Sequence, residues 1–361
     1  MKSALKTIAV LAAVLGGCGG GEVGLQGAQP IDESGDALRS RFNRAGNILI
    51  ADQFNNRVVE LDASQNIVWS FGDGSSTASA TSIVAPNDVQ RVGRYTLIAA
   101  TGAPAGSEAT CANACVDNRV LLVDRSGKIV WQYGQAGVTG AGPNQLNSPV
   151  SAVYLPTGHV LITDQGNARV IEVDGSGSVV WQYGTTGVTG AAANQLNNPN
   201  SAELLANGNV LIADENNNRV IEVSRDGSIV WSYGSPTDTT SLNGAAFASR
   251  LHNGNTLISD ANNNRIVEVT HAGAVAWQFV TSSRAGSVAA PNPTRGIRLR
   301  NGRTLISDQN NHQVIEVDAS GALVFSYGTI GVAGATAGLL NAPYDAKAIG
   351  DYTGLTAPFG Y

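Results

Sequence analysis

Three side-chain types that could do chemistry recur along this chain at fixed spacing. An aspartate closes an aliphatic run at Asp52, Asp164, Asp214, Asp260 and Asp308. An arginine opens the next run at Arg57, Arg119, Arg169, Arg219 and Arg265, and a glutamate follows three residues later at Glu60, Glu172, Glu222, Glu268 and Glu316. Carboxylates beside guanidinium groups suit proton transfer or anion binding. A reaction needs one locus, however, and a residue written five times has no single one, so the repeated set reads as structural. Residues three apart on a strand face opposite sides. The Arg and Glu of one copy therefore cannot pair with each other, and each is expected to meet a partner on the adjacent copy, because an unpaired buried charge costs several kcal/mol.

Unrepeated chemistry is sparse. His159, His252 and His271 fall in or beside one set of turns and His312 in the opposite set, so the four cannot converge on one catalytic zinc. No G-x-S-x-G elbow, H-E-x-x-H or Walker loop occurs. No cofactor is expected, although Asp and Asn oxygens are abundant enough to leave calcium open. A net charge of −6 with only 22 Lys plus Arg gives no electrostatic footprint for nucleic acid.

The elements that must position these residues come from an internal repeat. The unit from Gly208 to Gly234 is written six times, marked by Trp69, Trp131, Trp181, Trp231, Trp277 and, in the sixth copy, Phe325, at a period of about fifty residues. Each copy holds runs of strand length, such as Ser151 to Leu155, Val160 to Thr163, Val170 to Val173 and Val179 to Tyr183, bounded by Gly, Asn, Asp or Ser. A unit this small cannot bury both faces alone. Six of them close most simply into a ring, so residues 36–361 are expected to form an all-β, six-bladed β-propeller of four-stranded antiparallel blades. Trp181 should then lie in a packed layer between blades.

In such a ring the connections between blades and the turns between second and third strands share one face. That face carries the long connections 73–86, 135–149, 185–199, 235–246, 281–293 and 329–343, and the insert Thr101 to Asp117. It is where a binding surface is expected. Asparagines fill its turns (Asn55 and Asn56, Asn216 to Asn218, Asn262 to Asn264, Asn310 and Asn311), where they tolerate left-handed backbone. Aligning the inner strands gathers a candidate ligand-binding set at the channel mouth: Arg39, Asn87, Asp88, Asn200, Arg295 and Asp345. Arg39, Arg41, Arg295 and Arg298 make the blades at ring closure the most basic part of the chain, suited to an anionic ligand or acidic peptide. Two segments compete to close the ring, Leu340 to Ala346 and Ala37 to Phe42; the proline entry of the first favours it.

The N-terminus reads as a processing signal. Lys2 and Lys6 precede the apolar run Thr7 to Leu15, too short to span a bilayer, and then comes Leu15-Gly16-Gly17-Cys18. This resembles a bacterial lipobox, which implies residues 1–17 as signal peptide, acylation (palmitate) of Cys18, and, with Gly19 following, the outer membrane, on the periplasmic side or cell surface. Residues 18–35 form a Gly-rich tether, of which 19–35 reach roughly 55 Å when extended. In an exported chain the remaining pair, Cys111 and Cys115, is expected as a disulfide.

Two family resemblances follow from the repeats. Asp164-Gln165-Gly166-Asn167-Ala168-Arg169-Val170 and its counterparts at Asp52, Asp214 and Asp260 resemble the NHL repeat, whose propellers serve as binding platforms, lyases or, in related families, calcium-dependent lactonases. The histidine placement departs from the lyases. Val123-Asp124-Arg125-Ser126-Gly127-Lys128-Ile129-Val130-Trp131 resembles the signature of quinoprotein-like propellers, including outer-membrane assembly lipoproteins, though those rings have eight blades and only one copy here carries it. Together the readings imply a monomeric, non-enzymatic binding or scaffolding module of the cell envelope, meeting protein or glycan through its loop-rich face. The alternative is a calcium-dependent hydrolase or lactonase-like enzyme with its site at the channel mouth.

Overall fold

The computed structural model describes residues 41–108 and 110–351. The expected signal peptide and tether, with Cys18, and Arg39 lie outside the described residues, as do 352–361. Six four-stranded antiparallel sheets follow one another around a ring. Blade 2 runs β4 (Pro86–Val92), β5 (Tyr95–Ala103), β6 (Cys115–Val123), β7 (Ile129–Gly134); blade 3 runs from β8 (Pro149–Tyr154) to β11 (Val179–Tyr183). Blade 4 spans β12 (Pro199–Leu204) to β15 (Ile229–Gly234), blade 5 β16 (Ala245–Arg250) to β19 (Val275–Val280), and blade 6 β20 (Pro293–Arg298) to β23 (Leu323–Tyr327).

Blade 1 is built from both ends of the ring. The last strand, β24 (Pro343–Ala348), pairs with β1 (Ile48–Asp52), followed by β2 (Arg57–Leu61) and β3 (Ile67–Phe71). The C-terminal segment thus closes the ring, as its proline entry implied. Residues 37–40 of the rival segment lie outside the described residues, and Phe42 packs under blades 1 and 2 instead of pairing as a strand.

The core is six layers rather than one centre. Each apolar cluster sits between two neighbouring blades, built from aliphatic residues of facing second and third strands. The tryptophans belong to these layers. Trp181 is half-buried against the layer between blades 3 and 4, and its indole Nε1 donates to the Arg225 carbonyl of the next blade at 3.0 Å.

Outside blade 2, second and third strands meet through a single 3-10 turn ending in a left-handed residue, Asn56, Asn218 or Asn264 in three blades, which asparagine tolerates. The repeated aspartate organises this turn. In blade 4, Asp214 Oδ2 accepts from Asn217 Nδ2 and Arg219 Nε, both at 2.7 Å, while Oδ1 accepts from the Asn197 amide. This corrects the expectation for the arginines, which pair with the aspartate of their own blade at Arg57, Arg169, Arg219 and Arg265. Antiparallel register sets Asp214 directly opposite Arg219 across the turn, so the nearest carboxylate is local. The glutamates do reach the adjacent blade: Glu60 to Arg91, Glu172 to Arg225, Glu222 to Arg250 and Glu268 to Arg298. Glu316 alone of the five stays at home, with Arg303.

Candidate functional site

Every inner strand carries the same irregularity near its loop-rich end. A residue in the left-handed region (Ala85, Ser148, Asn198, Gly244, Asn292, Ala342) is followed by the strand's first residue, after which the register slips by one. The slipped residues are Asn87, Val150, Asn200, Ala246, Thr294 and Tyr344. A bulge leaves backbone groups without ladder partners and re-aims side chains. Six bulges around one axis therefore collect free carbonyls and side chains at one end of the channel.

Arg295 takes them up. Its guanidinium donates to Asn200 Oδ1 at 3.2 Å, to the Ala246 and Thr294 carbonyls at 3.1 Å and to the Val150 carbonyl at 3.4 Å. It lies over the rings of Phe247 and Tyr344, 5.2 and 5.1 Å from their centroids. Tyr344, on blade 1, accepts at its hydroxyl from Asn200 Nδ2 of blade 4 across the axis, at 2.7 Å. Arg295 is 1% exposed. It plugs the channel without a carboxylate in direct contact, its charge met by carbonyl dipoles and aromatic faces.

Beside the plug lies a charged triad. Lys347 Nζ bonds to Asp88 Oδ1, donates to Asp345 Oδ2 at 2.8 Å and to the Val89 carbonyl at 2.8 Å. Asp88 Oδ2 accepts from Ser151 Oγ and the Ala152 amide of blade 3, and Asp345 Oδ2 from the Val89 amide. Burial and the neighbouring Asp88 push Asp345 up to about 6 although Lys347 opposes them. Burial also acts to raise Asp88, but Lys347 and Arg295 outweigh it and hold that carboxyl low. Burial pushes Tyr344 up to about 12 and raises half-buried Glu215, which accepts from Asn198 and Asn200 at the mouth. Asn87 accepts from Gln53, which accepts in turn from Gln309, an amide chain joining blades 2, 1 and 6.

Of the sequence-derived set, Asn87, Asp88, Asn200, Arg295 and Asp345 do converge, but as buried groups already bonded: Asn87 to Gln53, Asn200 to Arg295, and both aspartates to Lys347. The anticipated basic cluster does not assemble among the described residues. Arg298 sits at the opposite end of its strand against Glu268, and Arg41 pairs with Asp62 beneath blade 1. Tyr344, Phe247, Lys347 and Glu215 were missed. Aligning the proline entries would have found Tyr344, since it follows Pro343 as Asn200 follows Pro199.

Around this plug stand the connections. Three of them, 135–149, 185–199 and 329–343, hold no charged residue, and the other three hold one each, Asp73, Asp238 and Arg284. The insert forms a hairpin whose tip is joined by a Cys111–Cys115 disulfide. Cys111 packs on Val84, Ala85 and Ala103, and Glu108 accepts from Asn56 of blade 1 at 2.8 Å. Among the described residues no group of three or more His, Cys, Asp or Glu is placed to hold a metal ion, and no helix is long and apolar enough to cross a membrane.

A family model described as outer membrane protein assembly factor BamB matches residues 27–233 and, in a second overlapping match, 116–324. No curated protein matches the chain. The solved structure of a protein of unknown function from Bacteroides caccae superposes with a TM-score of 0.55 at 16% identity, covering 78% of this chain and 93% of its own. Virginiamycin B lyase from Staphylococcus aureus gives a TM-score of 0.46 at 15% identity, over 70% of this chain and 75% of that one.

Proposed function

The chain belongs to the family of the outer membrane protein assembly factor BamB, and from that premise we propose a non-enzymatic binding or scaffolding propeller of the cell envelope. It is monomeric, anchored to the outer membrane through a lipid on Cys18, and meets a protein or glycan partner with its loop-rich face. The observation that carries this reading is the plugged axis. The side chains best suited to substrate chemistry, Arg295, Asp88, Asp345 and Asn200, are spent on holding blades together. The polar groups at the mouth include half-buried Glu215 and Asn198, which are bonded to each other, and half-buried Asn292, which is bonded to Gln309. The surrounding connections offer neutral polar groups on a rigid frame, which suits recognition.

Melting the protein with and without calcium tests the proposal against the hydrolase reading. A site that binds calcium would raise stability as the ion saturates it, by about 2.7 kcal/mol at a hundredfold excess over Kd. An unchanged melting temperature is expected; a large calcium-dependent rise would favour the enzyme. Anchoring is tested separately, since Cys18→Ala should abolish metabolic palmitate labelling and release the protein from membranes. Labelling that persists would overturn the lipid assignment.

A further inference from the structure

Both described ends of the chain lie on the face opposite the long connections. β24 ends there, and the chain before β1 passes directly beneath it, with the Gly46 amide donating to the Ile349 carbonyl at 2.7 Å. The entering segment crosses under blades 1 and 2. Phe42 meets Trp69 at 6.0 Å, and Arg125 lies over the Phe42 ring at 5.5 Å. Asn43 Nδ2 donates to the Gly93 carbonyl at 3.0 Å, and Trp69 Nε1 to the Arg125 carbonyl.

These contacts bring five cations to one place: Arg41, Arg44, Arg94, Arg125 and Lys128, all exposed. Among the described residues the carboxylates of the same turns are Asp62 and Asp124, so this set carries a net +3 in a chain of −6. Asp62 is occupied by Arg41 and the Ser64 and Asn66 amides, and Asp124 by Ser126 and the Lys128 amide. Blade 2 is also the only blade whose turn between third and fourth strands holds two basic residues. Covalent connectivity leads from this spot, through the tether, to Cys18.

The geometry points to a second membrane contact: the basic patch around the chain entry docks on the surface of an anionic bilayer. The inference takes its setting from the envelope-anchored reading, but its chemistry stands on the patch alone. A lipid chain combined with a basic surface holds a protein more stably than either signal by itself. Lys and Arg near an anionic bilayer contribute about 1 kcal/mol each, about a fivefold gain in partition per residue. Docking there turns the loop-rich face away from the lipid, toward a partner.

The test is sedimentation of the full chain carrying Cys18→Ala with vesicles of phosphatidylcholine, alone or mixed with phosphatidylglycerol, at low and high salt. The ratio of the two partition coefficients cancels the apolar contribution of the N-terminus, and comparison between variants cancels that of Lys2 and Lys6. Arg94→Gln with Arg125→Gln should lower that ratio about 25-fold, and Arg300→Gln with Arg303→Gln, on blade 6, by no more than about twofold. Lys128→Gln, in an exposed turn, should lower it about fivefold even if the paired variant fails to fold. High salt should erase the preference, since screening shortens the field to a few ångströms. Equal losses in both pairs, or a wild-type protein that ignores lipid charge, would overturn the proposal. Absent palmitate labelling of the wild type would remove the anchor and leave the vesicle result standing.

Discussion

Two seams between blades solve the same packing problem with opposite chemistry. Between blades 4 and 5, Glu222 on the third strand bonds Arg250 of the next inner strand at 3.0 Å, and Arg250 lies over Trp231 at 4.8 Å. Between blades 2 and 3 the same stations hold Leu122 and Tyr154, packed with Trp131 in one apolar cluster. The aromatic stays and the charges go. A charged pair that can be exchanged for an apolar pair within one molecule is there to seal the seam, which is why its recurrence in four seams signals architecture and not catalysis. Replacing a buried ion pair by well-packed apolar residues is often neutral, whereas removing one partner is not. The closing seam, between blades 6 and 1, has neither solution: Phe325 replaces the tryptophan, Ala348 the arginine, and Glu316 turns to Arg303 of its own blade.

That closing seam is where the largest effect is expected. Deleting 341–361 removes β24, strips blade 1 of its inner strand and exposes the edge of β1, so the truncated chain should aggregate in size-exclusion chromatography. A monomer with unchanged melting temperature would mean that another segment completes the blade. Next comes Arg250→Ala, which strands Glu222 in the seam and should cost about 3 to 5 kcal/mol in denaturant unfolding. Converting that seam into its apolar counterpart, Glu222→Leu with Arg250→Tyr, should lie within about 1 to 2 kcal/mol of the wild type. If the double variant is as unstable as the single, the two seams are not equivalent and the charges have a further task.

The smallest effect concerns the triad at the axis. Asp345 titrates near 6 when folded and near 3.8 when unfolded, so between those values the folded state holds the extra proton. Its contribution to stability therefore grows as pH falls from about 6 toward 4, and is lost as pH rises through 6. Asp345→Asn should flatten the melting-temperature profile in that window. His312 works in the opposite sense, since burial holds its ring below the usual value and its Nδ1 accepts from the Ala342 amide. Stability from neutral His312 falls as pH drops below about 6.5, and the two groups partly cancel in the wild type.

The blades were legible because period, strand length and turn residues agreed in six copies, and the ring closure because Pro343 repeats the proline entry of Pro149 and Pro199. The family match agrees with the likeness carried by Val123 to Trp131, on a ring of six blades. The axial set was half legible. Asp88, Asn200 and Arg295 could be gathered by aligning strands, but their burial depends on one-residue register slips that a pattern of hydrophobic alternation does not encode. The pairing of each arginine with its own aspartate is not legible from spacing along a strand, because it forms across the turn, where antiparallel register sets the two residues opposite each other. The basic patch was invisible for a related reason: Arg94 and Lys128 lie in two turns of blade 2, and the segment of Arg41 and Arg44 joins them only because Asn43 reaches under that blade.

One guanidinium, Arg295, bonds to groups on blades 3, 4, 5 and 6 and rests on a ring from blade 1. The roots of the surrounding connections cannot drift independently while that contact holds. A partner spanning several blades would find those connections already at fixed separations, and would be spared the ordering entropy that a set of independent loops demands on association.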